Sequence, residues 1–426
     1  MTHSTNTSDD AVGAPPVPAQ RRDGQGVREA LRVITLVVAL GIAAVGLVGG
    51  LLGLLVSLLG NAQEQVLSTT VSVSLLALAG GLGLALAWHA WRAIQGHDSP
   101  VFRPRKPWLL IPAFLLAVAL GQTVLSLGLL PPLLFPPFHV LAAVLPPLTI
   151  LALVARGLEG AGRWRDAVLQ LGSGAFLATP LALVLEAGAI VSLLALSLGG
   201  LLLRPGGREL LRRMADLLAE STWVQDPANL FSLFNSPALV LAALVIVAGL
   251  VPLIEELAKT VGVGLMAYRR PNPRQAFLWG LAGGAGFAMV EGLFNTIGSL
   301  EGWAPVLLLR VGASLLHCTA GALMGLAWYQ VLAGRRWLRA LAFYAGSVAI
   351  HAGWNTVSIG IAVLSLSSEG SEGGSLSGLG SVWLVAALVA LSVGMGLLLG
   401  ELTRRLAKRS LLPVPLRPQP AEETQL

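Results

Sequence analysis

The chain of 426 residues is 55% apolar and only 12% charged, with a mean hydropathy of +0.75. A soluble domain carries about 25% charged residues, so this chain has too little polar surface to face water on every side. Its net charge of +6 and pI of 10.2 would suit a nucleic-acid partner, but the basic residues are placed as topology signals and no nucleic acid is expected.

A transmembrane helix needs about 20 apolar residues. Such stretches run over 33–60, 66–91, 107–130, 134–155, 172–203, 236–268, 276–299, 305–332, 339–364 and 379–401. The expected fold class is therefore all-α, a polytopic integral membrane bundle of about ten transmembrane helices. The sixth stretch is long enough to be kinked or broken. A polar, Ala/Pro-rich disordered cytoplasmic tail is expected over 1–29 and a second disordered tail over 410–426. Between them fall an N-terminal membrane region of about five helices (30–203), an external loop with an amphipathic surface helix (204–235), a polar membrane core (236–364) and a final transmembrane helix (365–409). The first apolar run is too long for a signal-peptide core and should remain as an anchor.

Orientation follows from Lys and Arg. Arg21, Arg22, Arg28 and Arg32 precede the first span, and the later clusters are centred on Arg103, Arg163, Arg269, Arg336 and Arg404. They fall in every second loop, while the short loops between hold Glu64, Glu301, Glu369 and Glu372, so both termini are expected to be cytoplasmic. The loop 204–235 resists this alternation, with Arg204, Arg208, Arg212 and Arg213 balanced by Glu209, Asp216, Glu220 and Asp226. Leu210, Leu211, Met214, Leu217 and Leu218 share one helical face there, which suits a helix lying on the membrane surface or, equally, a solvated linker helix.

Intramembrane charge is unevenly distributed. The first five spans contain Glu186 and little else, with His139 among prolines near a helix end. The next four contain Glu255, Glu256, Lys259, Glu291, Arg310, His317, His351 and Asn355. Each charge at mid-bilayer costs roughly 2.5–3.5 kcal/mol on insertion scales, so this concentration calls for a function. At 1.5 Å per residue, Glu255 lies roughly 21 Å from Arg269, Glu291 roughly 25 Å from Arg274, and His317 and His351 each roughly 18 Å from a span end. All four occupy the middle band of the membrane and could converge.

In "EELAK", Glu255 and Lys259 share a face while Glu256 is turned about 100° away, so the two carboxylates should have different jobs. Pro252 lacks an N–H and tends to kink the helix beside them. Phe287 and Glu291 share a face beside a "GGAG" stretch, His317 lies on one ridge with Gly321 and Gly325, and His351 and Asn355 are one turn apart. A lone intramembrane histidine is more often a packing residue, Asn355 alone is more often interhelical glue, and Cys318 is expected to be a small buried thiol. Arg310 is expected to snorkel to the surface or to pair with an acid.

"EExxK" (255–259), "FxxxE" (287–291), a His in a small-residue helix (317) and "HxxxN" (351–355) together resemble the motifs of PrsW-type intramembrane proteases, relatives of the type II CAAX prenyl endopeptidases and bacteriocin-immunity-type membrane proteins. The resemblance covers roughly 236–364. It implies a multi-pass protease of the bacterial inner membrane acting on membrane-anchored proteins, since some members cleave anti-sigma factors. Carried over, the catalytic set is Glu255, Glu256, Lys259, His351 and Asn355, with Glu255 as general base. Glu291, His317 and His351 would hold a metal, expected to be Zn2+, because two imidazoles and a carboxylate leave a fourth position for water. A metal-free alternative has Glu255 and a histidine polarise the water while His351 and Asn355 hold the oxyanion. A proton- or ion-coupled transporter and a non-catalytic membrane scaffold are the rival classes.

Overall fold

A computed structural model of the chain describes residues 20–60, 62–219, 236–298, 300, 302–334, 336–369 and 375–409. The tails before residue 20 and after residue 409 lie outside the described residues, as do Glu220, Asp226, Glu301 and Glu372 of the loops.

Among the described residues, ten helices are long and apolar enough to cross a membrane, and the β pairing is an isolated bridge between Val101 and Arg163. The spans are α1 (Gly26–Ser57), α2 (Glu64–Ile94), α3 (Pro107–Leu127), α4 (Pro131–Gly157), α5 (Trp164–Leu202), α7 (Pro237–Leu265), α8 (Pro273–Phe294), α9 (Trp303–Leu332), α10 (Trp337–Leu364) and α11 (Gly380–Lys408). Between α5 and α7 lies α6 (Gly207–Ala219), at the place expected for the loop helix. Arg213 pairs with Glu209 at 3.2 Å on α6, while the side chains of Leu210, Met214, Leu217 and Leu218 lie outside the described residues. Helical geometry continues from α1 back to Gln20, into the segment expected as a tail, and α5 starts at Trp164, upstream of the expected 172.

The centre of the bundle is α8, which is surrounded by other helices. Glycine makes this possible by letting backbones touch. A Cβ added at Gly284 would stand 2.0 Å from the carbonyl oxygen of His317 on α9. On the opposite side, one added at Gly286 would stand 2.0 Å from the Leu171 carbonyl of α5. Such close approach is the use of small residues between membrane helices, where lipid supplies no hydrophobic drive for association. It also confirms the ridge read from the sequence, because Gly321 and Gly325 pack against Gly280 and Ala276 and carry His317 inward with them.

The basic loops gather at one end of the bundle. Arg103 pairs with Glu159 at 2.9 Å, Arg163 with Asp98 at 3.2 Å, Arg274 donates to the Glu159 carbonyl at 2.9 Å, and Arg269 pairs with Asp166. These contacts tie the α2–α3, α4–α5 and α7–α8 connections together. His139 is fully buried and satisfied on both sides: Trp303 Nε1 donates to its Nδ1 at 3.0 Å and its Nε2 donates to the Leu293 carbonyl at 2.9 Å. It is a packing histidine that clips α4 to the ends of α8 and α9.

Helix α7 is broken, and its sequence explains why. Residues Leu244–Leu250 form a wide, π-helical segment immediately ahead of Pro252. In that register the carbonyl of Val247 would be bonded by the N–H of residue 252, which proline lacks. Asn355 of α10 supplies the missing donor, with Nδ2 2.7 Å from the Val247 oxygen. Tyr344 of α10 similarly donates to the Leu253 carbonyl at 2.9 Å. Below this, α-helix runs from Val251 to Ala258, turns at Lys259 and Thr260, and resumes as a short helix over Val261–Leu265. A backbone group without a partner in hydrocarbon costs several kcal/mol, so a broken span persists only where neighbours re-satisfy it.

Candidate active site

The four polar motifs converge. Glu255, Glu256 and Lys259 come from the middle of α7, Glu291 from α8, His317 from α9 and His351 from α10, and all but Glu291 are fully or almost fully buried. Lys259 is at the centre. Its Nζ lies 2.7 Å from Glu256 Oε1 and 3.0 Å from Glu255 Oε2, and stands 4.7 Å from the centroid of the Phe287 ring. One buried ammonium thus faces two carboxylates and an aromatic face, which offsets part of the cost of removing all three charges from water.

The carboxylates differ as their positions on the helix imply. Glu256 is saturated: Lys259 donates to Oε1 at 2.7 Å, His351 Nδ1 donates to the same oxygen at 2.7 Å, and Ser347 Oγ donates to Oε2 at 2.8 Å. It fastens α7 to α10. Glu255 is less fully held: its Oε2 meets Lys259 Nζ at 3.0 Å as an ion pair and no other donor among the described residues. His351 Nε2 is 3.7 Å from that oxygen.

The histidines are each held by a carboxylate on one nitrogen. Glu291 Oε2 lies 2.6 Å from His317 Nε2 and 3.0 Å from the Arg310 guanidinium, so Arg310 pairs with an acid instead of reaching for the surface. In a neutral imidazole the nitrogen facing a carboxylate carries the proton and the other offers a lone pair. That leaves Nδ1 of His317, buried and without a partner among the described residues, and Nε2 of His351 as inward acceptors. The two rings stand 5.4 Å apart and nearly perpendicular.

Carboxylate on one ring nitrogen and a free second nitrogen is the usual setting of a metal-ligating histidine. Glu255, Glu256 and His317 also offer atoms within 4.8 Å of one another, a compact oxygen–nitrogen donor set. On both counts the residues fit a divalent metal. Asn355 stands apart from this cluster, its amide committed to Val247. Sequence reasoning missed Ser347, although it lies one turn before His351 and so on the same face. Cys318, beside His317, is buried as expected.

Comparison with known proteins agrees with this arrangement. No curated protein and no solved structure matches the chain. Residues 217–394 match the family model described as PrsW family intramembrane metalloprotease, a stretch that contains every residue of the polar cluster. The match selects a protease, and with it a metal-dependent enzyme, over the transporter and scaffold alternatives. Residues 217–394, on four helices that meet around Lys259, are thus similar to the PrsW family of intramembrane metalloproteases.

Proposed function

We propose that Glu255 is the general base of peptide hydrolysis in the substrate's membrane segment, and that His317 and His351 hold a zinc ion beside it. The observation that carries this reading is the asymmetry of the glutamate pair: among the described residues Glu256 has three donors, while Glu255 Oε2 meets only the Lys259 ammonium. A carboxylate oxygen in a buried cluster that faces one ammonium and no other donor is available to take a proton.

In this reading Glu255 removes a proton from water as the water oxygen attacks the scissile carbonyl carbon. It then returns that proton to the amide nitrogen as the C–N bond breaks. Lys259 compensates the charge of both glutamates, and Glu256 fixes the tautomer of His351. Bound zinc would polarise the carbonyl and make its water a nucleophile at neutral pH. Glu291, expected as the third ligand, joins this site through His317. The compact set of Glu255, Glu256 and His317 is the second reading, favoured by its 4.8 Å spacing. Asn355 is assigned to holding α7 open instead of to the oxyanion.

Substrates of such an enzyme are membrane-anchored proteins. We place the enzyme in a bacterial inner membrane with both termini cytoplasmic, which puts the arginine-rich loops inside. Anti-sigma factors are the substrate class the family suggests. A transmembrane helix hides its own carbonyls, so a segment interrupted by Gly or Pro should be cut more readily. With α6 leading into α7, access is assigned to the outer side, and the cut falls within or just outside the membrane segment there.

Cleavage of a single-pass substrate by purified protein tests the assignment. Glu255→Gln should lose about 10²–10⁴ in rate while inserting and purifying normally; full activity in that variant overturns the base. Elemental analysis should find zinc that disappears in His317→Ala. In Glu291→Gln, metal affinity should fall about 10–100-fold if the carboxylate orients His317. Undiminished metal there with loss in Glu256→Gln selects the compact set, and chelator-insensitive activity selects the metal-free mechanism. Mass spectrometry of the product ends locates the cut; a scissile bond deep in the cytoplasmic half refutes outer access.

A further inference from the structure

A cavity of about 980 Å³ lies between α1, α2, α5 and the end of α7, apart from the polar cluster. Arg28, Arg32, Arg165, Arg269 and Arg270 all line it. Of these, Arg269 pairs with Asp166, while Arg165 gives one nitrogen to the His97 carbonyl and its Nε has no partner among the described residues. Around Arg165 the like charges of Arg269 and Arg32 are only partly offset by Asp166 and Asp98. Five arginines and no carboxylate line the cavity itself, so its rim carries positive charge that attracts anions.

The rest of the cavity is of the opposite character. Leu31, Ile34, Val38, Ile42 and Phe176 form an apolar trough along α1 and α5. A second cavity of about 370 Å³ shares Val38, Ile42 and Phe176 and continues along the same helices to Val45 and Pro180. Positive rim and apolar trough correspond to the headgroup and acyl zones of one phospholipid.

We propose that this cleft binds an anionic phospholipid, with its phosphate among the arginines and its acyl chains along the α1–α5 trough. Basic pockets between membrane helices take anionic headgroups, and guanidinium groups match phosphate geometry with paired N–H donors. A soluble anion would leave the trough empty; a neutral lipid would leave the arginines unpaired. Gly262, Leu265 and Met266 line the same cavity, a few residues beyond Lys259. The lipid therefore braces the short helix after the break in α7. This site does not depend on the protease mechanism.

The test is thermal unfolding of the purified full chain in neutral detergent micelles, since a ligand bound to the folded state raises the midpoint. Phosphatidylglycerol should raise it, and phosphatidylcholine at the same mole fraction should not. Inorganic phosphate at matched phosphate concentration should not either. Arg32→Gln combined with Arg165→Gln should weaken phosphatidylglycerol binding by about 30-fold, roughly fivefold per basic residue. Val38→Trp, which fills the trough and keeps every arginine, should abolish the selective shift, and it decides the matter if the double variant does not fold. Equal shifts with both lipids, a shift with phosphate alone, or an undiminished shift in Val38→Trp would each overturn the proposal.

Discussion

The helices α1 and α5 and the pair α8 and α9 solve different packing problems. Of the most apolar 18-residue stretch in each helix, 83% of residues are buried in α8 and 67% in α9, against 17% in α1 and 6% in α5. The first two meet lipid with Leu and Val side chains and hold little charge in their apolar stretches. The second pair encloses Glu255, Glu256, Lys259, Glu291, His317 and His351 behind helices that approach backbone to backbone. The difference teaches where a membrane protein can keep ionisable groups: where glycine lets helices close around them and every charge finds a counter-charge within a few ångströms.

The strongest way to break this contrast is to unbalance the charges. Glu256→Gln leaves Lys259 with one anionic partner and weakens the links to His351 and Ser347. Removing one member of a buried ion pair costs about 3–5 kcal/mol, so this variant should lose fold stability as well as activity. Refolding or thermal denaturation in micelles measures it, and a stable but inactive variant would move Glu256 from scaffold to chemistry. The second test is steric. Gly284→Ala drives a methyl group into the His317 carbonyl, and overpacking of this kind costs about 1–3 kcal/mol. Gly188→Ala in α5, where nothing lies within 4 Å of the added carbon, should be neutral on the same assay. Equal effects at the two glycines would erase the difference between the two pairs.

A smaller effect sharpens the comparison. Asn355→Ala removes the donor to the Val247 carbonyl, and an unsatisfied group of that kind costs about 1–3 kcal/mol. Cleavage should fall only in proportion to the protein lost to unfolding. A drop of about 10²–10³ in rate with stability unchanged is the signature of an oxyanion donor and would restore that role.

Much of this was legible in the sequence. Hydropathy alone located each of the ten spans, because the bilayer demands long apolar runs and leaves few other readings. The i,i+4 spacing placed Glu255 with Lys259 and turned Glu256 elsewhere, since helical geometry is local. Pro252 marked the break in α7 for the same reason. The identity of the partners was a different matter. That Glu256 takes Lys259, His351 and Ser347 while Glu255 is left with Lys259 alone depends on the approach of α10 to α7. Glu291 fixes one nitrogen of His317 only because glycine lets α8 and α9 touch. The arginine cluster was legible only as scattered topology signals in separate loops, and the fold gathers those arginines around one cleft. Spacing along a helix sets which residues share a face; which face meets which is a long-range property, decided only when the helices pack.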